Sequence, residues 1–126
     1  ITVGVLDGTA LPIIEIVPAT TFYDYAAKYQ RDDTRYVLDP DLPPKRSRCI
    51  QDAATTLCEV LGVGQLARVD FLLDNDDVWL LEVNTMPGFT SHSLLPMAAK
   101  AAGRPMSVLC EQLVLTAVRT AAGPAS

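Results

Sequence analysis

The alternation of apolar and polar residues predicts two β-hairpins. Residues 2–6 (TVGVL) and 11–17 (LPIIEIV) are rich in β-branched residues and flank Asp7-Gly8, a dipeptide typical of tight turns. Residues 66–74 and 78–84 form a second pair of strongly apolar segments, and three polar residues separate them. Each pair therefore combines the strand and turn signals expected of adjacent antiparallel strands.

A second periodicity, with apolar residues recurring every three or four positions, predicts helices over residues 45–61, 93–102 and 107–120. Pro44 agrees with the first of these, because proline is tolerated in a first helical turn. The polar and aromatic residues 24–43 show neither period, and connections of this length are usually lids or binding loops. Together these elements predict an α+β fold, an antiparallel sheet with flanking helices.

The composition is that of one folded domain. The chain has 126 residues, of which 49% are hydrophobic and 20% charged, so it has enough apolar residues for a core and is not disordered. A net charge of -5 without a basic stripe argues against nucleic acid as a partner. No apolar run approaches the roughly 20 residues that span a bilayer, which argues against membrane insertion. The three cysteines, Cys49, Cys58 and Cys110, lack metal-site or disulfide spacing, so we expect reduced, buried thiols in the cytoplasm.

Four polar residues interrupt the apolar strands of the second hairpin, namely Arg68, Asp70, Glu82 and Asn84. Strand side chains alternate, so the first two share one face of their strand and the last two share one face of theirs. A three-residue loop between residues 74 and 78 would set Asp70 opposite Glu82 and Arg68 opposite Asn84. A two-residue loop would shift the register and separate the two faces.

The three-residue loop would create a site for Mg²⁺. Carboxylates on opposed residues of neighbouring strands repel each other unless a cation lies between them. Asp70, Glu82 and the amide oxygen of Asn84 are hard ligands, which Mg²⁺ prefers, and they leave coordination positions for water and phosphate. Arg68 beside them could bind phosphate or a developing oxyanion. The alternative is that Arg68 pairs with Asp70 or Glu82 on a solvated sheet face.

A resemblance to a known family extends over nearly the whole chain, from about residue 2 to about residue 118. The string RVDFLLDNDDVWLLEVNTMPGFTSHSLLPMAAKAAG at residues 68–103, with FYDYAAKY at residues 22–29, resembles the C-terminal part of D-alanine:D-alanine ligases of the ATP-grasp family. The pairing of E-V-N-T-x-P-G with T-S-H-S is specific for this ligase group. The resemblance implies that residues 1–126 form a C-terminal ATP-grasp domain with a lid over 24–43, and that the N-terminal and most of the central domain lie outside them.

The resemblance also implies roles for individual residues toward ATP. Asp70, Glu82 and Asn84 are similar to the family's ligands of two Mg²⁺ ions, with Mn²⁺ as an alternative ion. Arg68 would stabilise charge on the acyl phosphate and on the tetrahedral intermediate. Lys28 is similar to the lysine that reaches the ATP phosphates, although by itself it reads as a solvated loop lysine. Tyr29 lies beside it on the lid, where relatives that use D-lactate have histidine.

A second group of residues is implied for the D-alanine substrate. Gly88 lets backbone N–H groups approach the substrate closely, and Ser93 opens a helix whose N-terminus favours an anion. By resemblance, Ser93 and Leu94 hold the carboxylate of the second D-alanine, and we count Gly88 and Ser93 with Arg68 among the catalytic residues. The alternative for Ser93 is a helix N-cap without a ligand.

The implied activity is ATP-dependent ligation in a bacterial cytoplasm. A D-alanine carboxylate attacks the γ-phosphate of ATP, which gives an acyl phosphate and releases ADP. The amine of a second D-alanine then displaces phosphate from the acyl phosphate. The product, D-alanyl-D-alanine, would serve peptidoglycan synthesis, and the parent enzyme would be a homodimer. Without the N-terminal portion, we expect this chain alone to be inactive. Two alternatives remain, a D-alanine:D-lactate-type ligase and a non-catalytic ATP-grasp binding domain.

Overall fold

The computed structural model describes residues 1–18 and 34–121, and within these ranges it contains six strands and three helices. The strands are β1 (Thr2–Leu6), β2 (Thr9–Ala10), β3 (Ile14–Val17), β4 (Arg35–Leu38), β5 (Leu66–Asp74) and β6 (Asp77–Asn84). The helices are α1 (Pro44–Leu61), α2 (Leu94–Ala101) and α3 (Met106–Ala121). The predicted α+β class is confirmed, and each predicted helix is present with its ends within one residue of the prediction.

All strand pairs of the sheet are antiparallel. The strands lie in the order β4-β3-β1-β5-β6, and the short β2 pairs with β1 outside this path. All five residues of β1 are buried, because the strand lies at the centre of the sheet and helices cover both faces. Strand β1 is therefore the rigid element against which β5 is held.

Each face of the sheet has its own hydrophobic core. On one face, α1 packs on β1 and β5 through Ile50, Ala54, Cys58, Val3, Val5, Val69 and Phe71. Cys58 is buried there as expected, whereas the expected burial of Cys49 and Cys110 is wrong, because both lie on exposed helix positions. On the other face, α2 and α3 pack through Leu95, Ala98, Leu109, Leu6 and Ile14. Gly4 permits this second packing, because a Cβ there would lie 2.9 Å from Leu11 Cδ1 and 3.5 Å from Leu95 Cγ.

The first hairpin differs from its prediction in the second strand. The Asp7-Gly8 turn is present, with φ values of +48° and +72°, and Leu6 pairs with Thr9 across it. The predicted strand over 11–17 is instead divided into β2 and β3. Pro12 lies in the gap between them, and proline has no N–H to donate to a ladder.

Strand β4 was not anticipated, because it lies inside the predicted lid over 24–43. Residues 35–38 pair with β3, with Val17 opposite Arg35 and Ile14 opposite Leu38. This is a short edge strand whose formation depends on pairing with a distant segment, so local periodicity gives little signal for it. Residues 24–33 of the predicted lid lie outside the described residues.

The helix ends follow local sequence signals. Helix α1 begins at Pro44 and ends at Gly62, which takes a left-handed φ of +69° and donates its N–H to Glu59 O. In the part of the chain that the structure describes, no helix is long and apolar enough to cross a membrane.

Candidate active site

The β5–β6 hairpin brings the four predicted polar residues together. Asp70 pairs with Glu82, and Arg68 pairs with Asn84. Residues opposite each other in an antiparallel pair have side chains on the same face, so this face of the hairpin presents all four. The predicted pairing at the site is confirmed.

The turn that closes this hairpin differs from the predicted one. It has two residues, so that Asp74 pairs with Asp77 and Leu73 pairs with Val78, and the expected closure on residues 74 and 78 is wrong. A β-bulge at Leu81 compensates, because the ladder shifts between the pairs Phe71–Leu80 and Asp70–Glu82. Without the bulge, Leu81 would lie opposite Asp70 and Glu82 would point to the other face.

Arg68 lies between the two carboxylates of the site. Its Nε is 3.0 Å from Asp70 Oδ1 and its Nη2 is 2.8 Å from Asp70 Oδ2, which is a bidentate ion pair. The same Nη2 is 3.7 Å from Glu82 Oε1. The side chains of Arg68 and Asp70 are only 18% and 16% exposed, whereas that of Glu82 is 60% exposed. The alternative interpretation of the sequence, in which Arg68 pairs with Asp70, is thus correct about the ion pair. This pairing still leaves Glu82 accessible to a ligand.

Thr2 contributes a fifth polar group, which sequence reasoning missed. Strand β1 pairs with β5 so that Thr2 lies opposite Asp70. The Thr2 hydroxyl donates a hydrogen bond of 2.6 Å to Asp70 Oδ1. The one signal in the sequence is a hydroxyl residue at the start of an otherwise apolar strand. Only the pairing of β1 with β5 shows that this hydroxyl lies next to Asp70.

The surroundings of Asp70 keep its carboxyl group ionised. Burial alone would raise the pKa of Asp70, but hydrogen bonds from Arg68 and Thr2, together with the charge of Arg68, outweigh burial and hold the pKa below its usual value. Asp70 is therefore a carboxylate at neutral pH, which is the form that binds a divalent cation.

Asn84 and its neighbours connect the strand to the following loop. The Asn84 side-chain oxygen accepts a hydrogen bond of 3.0 Å from the Met86 N–H, which fixes the amide orientation. The donor set for a cation would be the carboxylates of Asp70 and Glu82 with this amide oxygen. Within residues 1–18 and 34–121, no group of three or more His, Cys, Asp or Glu side chains could hold a metal ion. Carboxylate and amide oxygens are hard ligands, so this donor set suits Mg²⁺, with further ligands from outside the protein, better than zinc, which prefers nitrogen and sulfur ligands.

Gly88 and Ser93 lie together at the beginning of α2. A Cβ on Gly88 would be 2.9 Å from Ser93 Oγ, so a larger residue at position 88 would require the Ser93 side chain to move. Ser93 occupies the N-cap position, but its side chain makes no capping hydrogen bond. Its hydroxyl instead accepts a hydrogen bond of 3.0 Å from the Thr90 N–H. Leu94, the first residue of α2, packs partly buried against the second core.

An apolar cavity adjoins Asp70 on the same side of the hairpin. It has a volume of about 260 Å³ and is lined by Ile1, Ile16, Pro18, Asp70, Phe71, Leu72 and Leu81. The bulge supplies one of these residues, Leu81, which is 61% exposed. Lys28 and Tyr29, predicted to act on ATP, lie outside the described residues.

Comparison with known proteins finds one family. The family model described as D-ala D-ala ligase C-terminus matches residues 1–115. The chain is 46% identical over 114 residues to the D-alanine–D-alanine ligase of Syntrophotalea carbinolica, and this match covers 90% of the chain and 37% of the relative. It is also 46% identical to the D-alanine–D-alanine ligase of Dechloromonas aromatica, covering 38% of that protein.

A solved structure shows the same fold. The D-alanine–D-alanine ligase from Bacillus anthracis complexed with ATP superposes with a TM-score of 0.78 at 30% identity, covering 94% of this chain and 38% of that one. The chain thus spans less than two fifths of the length of the relatives that it matches.

Proposed function

We propose that this chain, which belongs to the D-ala D-ala ligase C-terminus family, is the Mg-ATP-binding and second-substrate-binding part of an ATP-dependent ligase that joins two D-alanines. The observation that supports this most directly is the pairing of Asp70 with Glu82 and of Arg68 with Asn84 on one sheet face. Phosphoryl transfer depends on positioned charge of this kind more than on covalent chemistry. The proposed domain is residues 1–126, with the other domains supplied by the rest of the enzyme.

Asp70, Glu82 and Asn84 are the proposed Mg²⁺ ligands. Their hard oxygen atoms suit Mg²⁺ or Mn²⁺, and the site has room for ligands from phosphate because Glu82 is 60% exposed. When bound, the ions neutralise charge on the transferring phosphoryl group. The proposed number of ions is two, as in the family that the sequence resembles.

Arg68 is the proposed stabiliser of the acyl phosphate and of the tetrahedral intermediate. Two carboxylates hold its guanidinium on the site face, at 2.8 Å and 3.7 Å from Nη2. A preoriented cation of this kind stabilises developing negative charge without the cost of reorganising solvent. Arg68 would therefore act on the charge that forms during both chemical steps.

The cavity beside Asp70 is the proposed partial pocket for the adenine base. Its lining is apolar apart from Asp70, and an apolar slot next to a proposed ligand of the phosphate-bound metal suits a flat heteroaromatic ring. The chain spans less than two fifths of its relatives, so the remaining walls would come from other parts of the enzyme. Lys28, on the proposed lid over 24–43, would reach the phosphates.

The beginning of α2 is the proposed binding site for the carboxylate of the second D-alanine. Gly88 permits close approach, and the Ser93 hydroxyl is bonded to the preceding loop instead of capping its own helix. The N–H groups and dipole at a helix N-terminus favour an anion, which Ser93 and Leu94 would hold. A tyrosine at position 29, unlike a protonated histidine, carries no positive charge that would repel a D-alanine ammonium, which favours D-alanine over D-lactate as the acceptor.

The cellular setting follows from the same proposal. D-Alanyl-D-alanine is a building block of peptidoglycan, so the complete enzyme would act in the cytoplasm of a bacterium during cell-wall synthesis. We propose that it acts as a homodimer.

A hybrid enzyme tests this proposal. The matched C-terminal part of the Syntrophotalea carbinolica ligase is replaced by this chain, and D-alanyl-D-alanine formation is measured with ATP, D-alanine and Mg²⁺. We expect dipeptide synthesis, and a loss of at least about 100-fold for Asp70→Asn and Glu82→Gln hybrids that unfold at the same temperature.

A second hybrid is the control for the exchange itself. It contains the corresponding part of the Dechloromonas aromatica ligase, which is as similar to this chain as the host protein is. If the control hybrid makes dipeptide and the hybrid with this chain is folded but inactive, the proposed function is wrong.

A further inference from the structure

We propose that Thr2 is a positioning residue of the metal site, and that its hydroxyl fixes the orientation of the Asp70 carboxylate. The inference rests on the proposed function, because Asp70 is a metal ligand only within that proposal. Thr2 itself would touch neither metal nor substrate. It would act through Asp70. The Thr2 hydroxyl bonds to Asp70 Oδ1, while Asp70 Oδ2 accepts from Arg68 Nη2.

The burial of Thr2 indicates that its hydroxyl has a specific purpose. Among the residues that the structure describes, Thr2 is the one buried polar residue, and only 2% of its surface is exposed. A buried hydroxyl is costly unless it is hydrogen-bonded, and a valine of the same shape would fill the position without this cost. The bond that compensates is the one to Asp70.

The geometry of that bond favours a strong interaction. The distance of 2.6 Å between Thr2 Oγ1 and Asp70 Oδ1 is typical of a hydroxyl that donates to an ionised carboxylate. The other acceptor within reach, Val69 O, is 3.4 Å away. Asp70 is therefore the principal partner of the Thr2 hydroxyl.

The hydrogen bond from Thr2 connects Asp70 to a second strand, whereas the ion pair with Arg68 stays within β5. Arg68 and Asp70 lie two residues apart on β5, so their ion pair holds the carboxylate only relative to its own strand. Thr2 instead belongs to β1, the fully buried central strand. Its hydroxyl thus anchors Asp70 to a different and rigid element, and this fixes the direction of the free lone pairs.

The test compares two substitutions at one position. Thr2→Val removes the hydroxyl and keeps the shape, whereas Thr2→Ser keeps the hydroxyl. Binding of Mn²⁺ alone to the 126-residue chain is measured by electron paramagnetic resonance. We expect Thr2→Val to bind about tenfold more weakly than the unmodified chain, as is typical when a group that orients a metal ligand is lost, and Thr2→Ser to bind within about twofold.

A matched control removes a similar bond elsewhere. Thr116 on α3 donates a hydrogen bond of 3.3 Å to Asp7 Oδ2, far along the chain from the site, so Thr116→Val should leave Mn²⁺ binding unchanged. Thermal unfolding is recorded for each variant. If Thr2→Val does not fold, Thr2→Ala replaces it in the same comparison.

The outcomes separate this inference from the proposed function. Equal Mn²⁺ binding by folded Thr2→Val and the unmodified chain overturns the inference. If Asp70→Asn binds Mn²⁺ as the unmodified chain does, the proposed metal site fails. If neither chain binds Mn²⁺ alone, the ion depends on ligands from outside the chain, and the metal readout cannot test Thr2. In that case a crystal structure of Thr2→Val decides, because an unchanged Asp70 carboxylate would overturn the positioning role and a rotated one would support it.

Discussion

At the scale of single residues, the site depends on how Asp70 is held. Arg68 and Thr2 together occupy both oxygens of its carboxylate, and the carboxylate is only 16% exposed. This arrangement gives Asp70 a defined direction and a lowered pKa, and both are properties of a prepared cation ligand. Glu82, in contrast, is largely exposed and is free to adjust to a ligand.

The lowered pKa of Asp70 predicts a pH dependence of stability. A depressed pKa in the folded state adds stability above the unfolded value of about 3.9, and this stability is lost as the pH falls through the folded value. Asp70→Asn should therefore lower the free energy of unfolding by about 1–3 kcal/mol at pH 7 and by progressively less below about pH 4. Urea denaturation between pH 3 and 8 measures the difference.

The control for this measurement is Asp76→Asn, at an exposed position in the turn between β5 and β6. Its effect on stability should be small across the whole range. A difference between Asp70→Asn and the unmodified chain that stays constant from pH 7 to pH 3 would contradict the assigned role of the ionised carboxylate.

At the scale of elements, the β5–β6 hairpin determines which side chains meet. The two-residue turn and the bulge at Leu81 act together, since either one alone would separate Glu82 from Asp70. Helix α1 holds the turn from outside, because Arg46 Nη2 donates to Asn75 O at 2.6 Å and lies 3.3 Å from Asp77 O. Asn75 itself has a φ of +52°, a left-handed conformation that glycine, asparagine and aspartate adopt more readily than most other residues.

Loss of the Arg46 contact should loosen the hairpin. Arg46→Gln should lower the free energy of unfolding by about 1–2 kcal/mol, because two backbone carbonyls lose a charged donor. Amide hydrogen exchange, followed by NMR, should accelerate in β6 more than in β1. The control is Arg48→Gln, at an exposed position of the same helix. Equal acceleration throughout the sheet would show that Arg46 supports the fold in general and not the turn.

At the scale of the whole molecule, the chain presents one side of the proposed binding site. Its cavity beside Asp70 is open, and the chain spans 37% of the Syntrophotalea carbinolica relative. Part of a cleft provides few of the contacts that offset the cost of ordering a ligand. This limits what the 126 residues can do alone.

We therefore expect the purified chain to bind Mg-ATP weakly and to make no D-alanyl-D-alanine. Isothermal titration calorimetry with Mg-ATP and a chromatographic assay for the dipeptide are the measurements. Dipeptide synthesis by the chain that is lost in an Asp70→Asn control would contradict this expectation, because a contaminating ligase would be unaffected by the substitution.

The sequence by itself determined the elements and most of the candidate site. Helix α1 and strands β5 and β6 were predictable because apolar residues follow the helical and strand periods, and caps such as Gly62 act locally. Charged and amide groups inside apolar strands cost free energy unless an interaction compensates for their burial. For this reason the sequence could reveal four candidate site residues, namely Arg68, Asp70, Glu82 and Asn84. The roles of Lys28 and Tyr29 stay predictions.

The tertiary structure decided how these elements pair. Strand β4 and the contact of Thr2 with Asp70 depend on segments that are distant in sequence, and local periodicity does not encode which strands become neighbours. The bulge at Leu81 could not be predicted from the sequence either. A two-residue turn with a bulge and a three-residue turn without a bulge both pair Asp70 with Glu82. Only the ladder of backbone hydrogen bonds, formed when β5 is fixed against β1, distinguishes the two.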